Sequence, residues 1–501
     1  MALAVVYTRA QLGINAPLVT CEVHLANGLP CFTIVGLPET AVRESKDRVR
    51  SAIVNSHLEF PTKRITVNLA PAELPKAGGR YDLAIAIGIL AASGQIPEEP
   101  LTQHEFLGEL ALSGELRPLS GALPAAIASS KARRALVVPK GNAEEIALSG
   151  DTQHCYGNTL LQVCAHIHQR EPLPHIEPFN TPNSPSTNAC DMADVKGQAQ
   201  AKRALEIAAA GGHNLLMFGP PGSGKSMLAA RLPGILPALH QHEALEVAAI
   251  RSIKNSRDNH HFLQRPFRAP HHTCSAPALV GGGSNPKPGE VSLAHKGVLF
   301  LDELPEFPRH VLEVLREPIE SGVVHISRAQ SQVSYPSEFQ LIAAMNPCPC
   351  GYWQTGEREC QCTPQQVARY RGKISGPLLD RFDLHIPVFT VPIRELQQEC
   401  QLESSDAIKS RVVKSRCFQF ERQGCSNATL DNQSLSKHCQ LNNETSILLA
   451  KAIERLKLSA RSYNRIVKVA RTIADLNQQS TISAQHISEA LAYRALDKAI
   501  L

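Results

Sequence analysis

Gly219-Pro220-Pro221-Gly222-Ser223-Gly224-Lys225-Ser226 decides the reading of this chain. The stretch satisfies the pattern G-x-x-x-x-G-K-[ST] in full. Before it, Leu215-Leu216-Met217-Phe218 is an apolar run of strand length; after it, Met227 to Leu232 reads as a helix. Glycines let backbone N–H groups close around a phosphate at a helix N-terminus, which favours anions. Lys225 is placed to reach the β- and γ-phosphates of ATP, and Ser226 to ligate Mg²⁺. A chance match in a glycine-rich turn would lack the flanking strand and helix.

Working outward, Gly297-Val298-Leu299-Phe300-Leu301-Asp302-Glu303 is an apolar strand ending in two carboxylates, 77 residues beyond Lys225. Asp302 is read as holding the Mg²⁺ hydration shell and Glu303 as orienting and polarising the attacking water. The bland reading, a solvated strand end, does not account for the phosphate loop upstream. A third apolar strand, Gln340 to Met345, ends in Asn346. Asn346 either fixes the water or senses the γ-phosphate, or is a turn residue before Pro347. In Gly376-Pro377-Leu378-Leu379-Asp380-Arg381-Phe382-Asp383-Leu384, Arg381 is either a surface ion-pair partner or an arginine finger, and the pattern alone leaves both open.

Directly after Asn346 come Cys348-Pro349-Cys350 and Cys360-Gln361-Cys362. Four thiolates on two C-x-C arms, with Gly351 permitting a turn, suit tetrahedral Zn²⁺ in a structural role, since all four positions are filled. Unliganded buried thiols are the competing reading. The chain has 14 cysteines but no export signal, so a reduced, cytoplasmic protein is expected. Met1 to Thr8 is apolar without a basic n-region and is read as a first strand. No apolar run reaches the ~18 residues of a membrane span.

At about 150 residues per domain, 501 residues imply roughly three. Residues 1–170 alternate strand-like and helix-like runs, such as Thr66-Val67-Asn68-Leu69 and Asp82 to Ala92. Residues 171–190 are proline-rich and aperiodic and read as an extended linker. Residues 191–391 alternate strand, turn and helix in the manner of a parallel sheet, and residues 392–501 are helical. The net charge of +5, from 51 basic and 46 acidic residues, neither demands nor excludes nucleic acid, so local basic patches must carry such binding.

Collinear stretches run through the whole chain: Gly36-Leu37-Pro38 with Val42-Arg43-Glu44-Ser45, Arg64 to Pro71, the phosphate loop, Phe267-Arg268-Ala269-Pro270-His271-His272, Asn346 to Cys350, and Leu378 to Leu384. On these the chain resembles the ComM/YifB family, the magnesium-chelatase-like branch of AAA+ ATPases. The resemblance implies an α/β protein with a Lon-type, ribosomal-S5-like N-terminal domain, an AAA+ P-loop core with a parallel sheet, and a C-terminal helical lid. It implies a homo-oligomer, a hexameric ring with ATP sites between subunits, in which Arg381 is the trans-acting finger. It places the sensor-2 arginine at Arg461, with Arg465 the second choice. It also implies a DNA helicase that promotes branch migration as incoming DNA recombines during natural transformation. A Lon-type dyad needs a Ser that Lys76 to Asp82 does not supply, so no peptidase activity is expected.

DNA, single-stranded or branched, is expected at two loops. One is Gly281 to Gly289, tipped by Lys287. The other is a hairpin, Gly322 to Tyr335, with Arg328 at its turn. Basic tips grip phosphates without reading bases; the plain alternative is two solvated side chains. His271-His272 lack a matching metal-ligand spacing and are read as positioning the insertion or the nucleotide site. A chelatase-type ATPase subunit for Mg²⁺ insertion into a porphyrin is the alternative function. It is disfavoured by the N-terminal domain and the four-cysteine insertion.

Overall fold

Near-continuous apolar runs bounded by glycine and polar residues become strands buried on both faces, and this decides the central sheet. The structure, a computed structural model, describes residues 2–37, 39–179, 190–254, 262–283, 286–328, 331–356, 358–397, 402–456 and 458–494. Ser284, Asn285, Ala329, Gln330 and the side chain of Arg328, all within the expected DNA loops, lie outside that description, as does Pro38.

The first sheet contains β1 (Ala2–Arg9), β2 (Leu18–Ala26), β3 (Cys31–Val35), β4 (Arg64–Ala70), β5 (His104–Phe106), β6 (Ala135–Pro139) and β7 (Cys155–Gly157), in the order β3-β4-β2-β1-β5-β6-β7. β2 alternates buried and half-buried positions, with Val19, Cys21, Val23 and Leu25 facing the core. Against it lies α1 (Asp82–Ala92), buried at every residue. A helix apolar all round belongs inside. Gly88 allows its close approach, because a Cβ there would lie 2.5 Å from Val23 Cγ2. Asp82 opens α1 as a buried carboxylate that accepts from Arg48 Nε at 2.7 Å and from Ser45. Residues 171–179 are not a free linker. Leu173 and Ile176 are buried, and Ile176 N donates to His154 O at 2.9 Å; their apolar side chains find cover on the first domain.

The second sheet is built of β8 (Leu215–Phe218), β9 (Phe267–Arg268), β12 (Val298–Leu301), β15 (Gln340–Met345) and β16 (Leu384–Pro387). Their order is β9-β12-β15-β8-β16, with every pair parallel. Two antiparallel ribbons interrupt the sequence: β10 (Gly281–Gly282) with β11 (Lys287–Pro288), and β13 (Val323–Arg328) with β14 (Ser331–Pro336). On one face Met217, Phe300 and Ala344 share a core with α2 (Ala199–Gly211), α3 (Lys225–Ile235), and residues of α5 (Ser405–Gln423) and α6 (Ala460–Leu476). The C-terminal helices thus belong to the same hydrophobic core as the sheet. The other face packs Leu216, Leu299 and Leu341 against Phe307, Tyr335 and Phe382, with Leu12 and Ile14 of the first domain packed against that cluster. Gly13 fits there because its ideal Cβ would lie 2.7 Å from Val333 Cγ1 on β14. Among the described residues no helix is long and apolar enough to cross a membrane.

Candidate functional site

In a parallel sheet, ligands bind outside the carboxyl ends of the strands. β8, β12 and β15 are neighbours whose carboxyl ends lead into Gly219, Asp302 and Asn346, so three sequence-distant motifs meet at one edge. Gly219 passes so close to the end of β16 that a Cβ would lie 2.0 Å from Val388 O. Gly222 and Gly224 have φ of +78° and +89°, a region that favours glycine. The loop therefore wraps tightly, with Ser223 buried and Pro220 and Pro221 in its bend. Gln198 Nε2 steadies it by donating to Ser223 O at 3.2 Å.

Lys225 starts α3 and is buried; its Nζ donates to Gly219 O at 2.9 Å, Pro220 O at 2.8 Å and Asn346 Oδ1 at 3.2 Å. Burial lowers its pKa, opposed by the nearby carboxylates of Asp302 and Glu303. Ser226 Oγ donates to Asp302 Oδ2 at 2.5 Å. A hydroxyl and a carboxylate meeting at a phosphate loop form a two-oxygen seat of the kind Mg²⁺ prefers. Glu303 follows, half-exposed, with φ of +51°. Its Oε2 lies 3.2 Å from His272 Nδ1, and the His272 ring stands edge-on to Phe307. His272 comes from the segment after β9, the neighbour of β12. The sequence marks the histidine pair but not this contact; the pairing of β9 with β12 is the signal that finds it.

The four cysteines come together. The Sγ atoms of Cys348, Cys350, Cys360 and Cys362 all lie within 4.8 Å of one another. Three separations are 3.3 Å (Cys348–Cys350), 3.4 Å (Cys350–Cys360) and 3.7 Å (Cys348–Cys360). Thiolates at ~2.3 Å from a tetrahedral Zn²⁺ stand about 3.8 Å apart, close to this arrangement. Trp353 N and Cys362 N donate to Cys348 Sγ and Cys360 Sγ at 3.3 Å and 3.4 Å.

Arg381 lies elsewhere. Asn214, just before β8, donates from Nδ2 to Arg381 O at 3.0 Å. The phosphate loop leaves β8 at its other end, about 10 Å along the strand. Arg381 is buried and donates to Pro377 O and to Glu320 of its own chain. Burial lowers its pKa, and Arg316 and Arg461 add to the lowering against Glu320. Arg461, exposed near the start of α6, is close enough for its charge to act on Arg381. Arg465 Nη1 and Arg494 Nη1 donate to Phe382 O at 3.1 Å and 2.9 Å. Both candidate sensor-2 arginines therefore lie by the Arg381 segment.

The two expected DNA loops are adjacent. Tyr335 Oη on β14 donates to Pro286 O at 2.8 Å, and a Cβ on Gly281 would lie 2.8 Å from Ile326 Cδ1 on β13. Lys287 is exposed on β11, while β13 carries Arg328 at its end, opposite Ser331.

Comparison with known proteins covers the chain in three parts. The family described as magnesium chelatase, subunit ChlI, matches residues 191–396. The families described as subunit ChlI of Mg-chelatase and as magnesium chelatase, subunit ChlI C-terminal, match residues 21–142 and 402–494. The chain is 52% identical to competence protein ComM of Haemophilus influenzae, covering 99% of this chain and 98% of that protein. It is 50% identical to YifB of Escherichia coli, covering 100% and 99%. It is 24% identical to the chloroplastic magnesium-chelatase subunit ChlI of Glycine max, covering 42% and 45%. With this fold, these strand-end motifs and full-length likeness to both relatives, the chain belongs to the ComM/YifB family, the magnesium-chelatase-like branch of the AAA+ proteins.

Proposed function

We propose that the chain hydrolyses ATP and uses the energy to drive DNA through an assembly of its own copies, as a helicase promoting branch migration of incoming DNA. The observation that carries the ATP reading is the convergence of Ser226 with Asp302 and of Lys225 with Asn346 at one sheet edge. Lys225 and the loop N–H groups bind the β- and γ-phosphates. Ser226 and Asp302 would hold Mg²⁺, which would supply neutralising charge to the phosphate oxygens. Glu303 orients and polarises the attacking water, and Asn346 fixes its position against the γ-phosphate. The four cysteines take Zn²⁺ as a structural ion.

Arg381 lies at the opposite edge from its own phosphate loop, so it serves a neighbouring copy's γ-phosphate, with Arg461 beside it. Glu320 holds the finger until a neighbour arrives. A ring, six-membered in this reading, satisfies every site. The adjacent Lys287 and Arg328 loops face the DNA and grip its phosphates. Full-length likeness to a protein named for competence supports DNA as the substrate. The chelatase alternative rests on the three family matches, one of which covers residues 21–142 of the first domain, and on 24% identity over 42% of the chain to a chelatase subunit, whereas the likeness to the competence protein is 52% over 99% of the chain.

The test is steady-state ATPase with and without single-stranded and forked DNA across a salt series, with displacement of a labelled strand. Stimulation that fades with salt is expected, and Glu303→Gln lowers kcat by about 100-fold or more. Lys225→Ala abolishes displacement. ATPase activity indifferent to every DNA structure would sink the DNA reading and leave the ATP reading intact.

A further inference from the structure

The four-cysteine loop touches the phosphate loop at both ends of its first arm. At one end Gly219 N donates to Met345 O at 3.2 Å, and the next residue, Asn346, meets Lys225 Nζ at 3.2 Å. At the other end Gly351 packs on the bend of the phosphate loop; a Cβ there would lie 2.5 Å from Pro221 Cδ. Cys348 and Cys350 lie between these contacts. Arg371 Nε ties the same arm down by donating to Pro347 O at 3.0 Å. The second arm, Cys360 and Cys362, closes the cluster from ten residues further on and leads through Thr363 into α4 (Pro364–Arg371), which carries Arg371.

The arm from Met345 to Gly351 therefore has its shape set in the middle by whatever binds the thiols, and transmits that shape to Gly219, Pro221 and Lys225. The amides of Trp353 and Cys362 point at Cys348 Sγ and Cys360 Sγ, fixing the position of both sulfurs as supports around a metal site do. We propose that Zn²⁺ in this site braces the phosphate loop, so that metal occupancy sets the affinity for nucleotide. The site is then more than a local fold staple: it gives the ATP site a dependence on zinc supply. Supports around a metal site are worth roughly 10–100-fold in metal affinity or activity when disturbed. A brace acting through one contact face belongs at the lower end of that range.

The inference rests on the ATP reading for its readout. The full chain is assayed for zinc content and for affinity toward a fluorescent ADP analogue, before and after chelation and again after Zn²⁺ is added back. About one zinc per chain is expected. Removal should weaken nucleotide binding by about 10-fold, reversibly, with helical content unchanged. Gly351→Ala supplies the second arm: it keeps all four cysteines, and its zinc is counted alongside; its Cβ against Pro221, added at a φ of +89° that favours glycine, displaces the arm and should weaken nucleotide binding to a similar degree. A chain that binds no zinc overturns the proposal. So does zinc loss without change in nucleotide affinity, and so does a zinc-replete Gly351→Ala of normal affinity; both of these leave the ATP reading standing. If chelation unfolds the chain, Gly351→Ala decides alone. A zinc-loaded wild-type chain that binds no nucleotide overturns the ATP reading and the brace with it, while its zinc count still stands.

Discussion

Glu303 occupies the left-handed backbone region, which costs a non-glycine residue about 1–3 kcal/mol and persists only where neighbours hold it. Asp302 accepts from Glu303 N at 2.9 Å, and the carboxylate lies against His272. In the proposed mechanism His272 is a positioning residue that sets the aim of the water-polarising group. We expect His272→Ala to lower kcat by about 10-fold, since small misplacements of reacting groups are costly. KM for ATP and zinc content should hold, and His272→Gln should recover part of the loss. An unaltered kcat in His272→Ala would make the contact incidental. The sequence exposes Lys225 and Ser226 because they close a contiguous loop pattern between a strand and a helix, and Asp302 and Glu303 because they end an apolar strand. It hides the partner of Glu303, because His272 reaches it only through the pairing of β9, a strand of two residues, with β12. Gln198 is hidden for the same reason: its contact with Ser223 O is made in space, not along the chain.

At the scale of elements, β16 joins the sheet to the C-terminal helices. His385 N donates to Tyr493 O at 2.6 Å, just beyond α7 (Ala484–Ala492). Burial first, and the Arg494 guanidinium second, push the His385 imidazole down to about 3 from 6.5. Below the unfolded value the unfolded chain takes up a proton that the folded chain refuses. Its stabilising contribution is therefore complete above pH 6.5 and declines as pH falls toward about 3. The slope is about 1.4 kcal/mol per pH unit. Urea unfolding at pH 7.5, 6.0 and 5.0 should show the wild type losing about 1 kcal/mol more than His385→Asn between pH 6.0 and 5.0, and less per unit between 7.5 and 6.0. Equal slopes would remove His385 from the account. Elements marked by unbroken apolar runs, such as α1, β12 and β15, and the alternating β13–β14 hairpin were legible in the sequence. Residues 171–179 were not. Their prolines argue for a linker, while Leu173 and Ile176 reach cover that only the folded first domain provides.

For the whole molecule, the division into strand-helix, parallel-sheet and helical stretches follows from runs of residue type, but the joints between them do not. Gly13 seated against Val333 and Gly121 N donating to Ser252 O at 3.1 Å are packing events between distant segments, and nothing in local pattern foretells them. The separation of Arg381 from its own phosphate loop is of the same kind, and it has a genetic consequence. In the proposed ring each chain would carry the loop of one site and the finger of another, so two inactive proteins would complement. Lys225→Ala retains a working Arg381, and Arg381→Ala retains a working phosphate loop. Mixed in equal amounts and allowed to exchange, they place an intact loop beside an intact arginine at roughly a quarter of interfaces. ATPase activity should reappear in the mixture although neither protein shows it alone, and a Lys225→Ala/Arg381→Ala double variant should rescue neither. A mixture that stays silent despite proven subunit exchange would return Arg381 to service within its own chain.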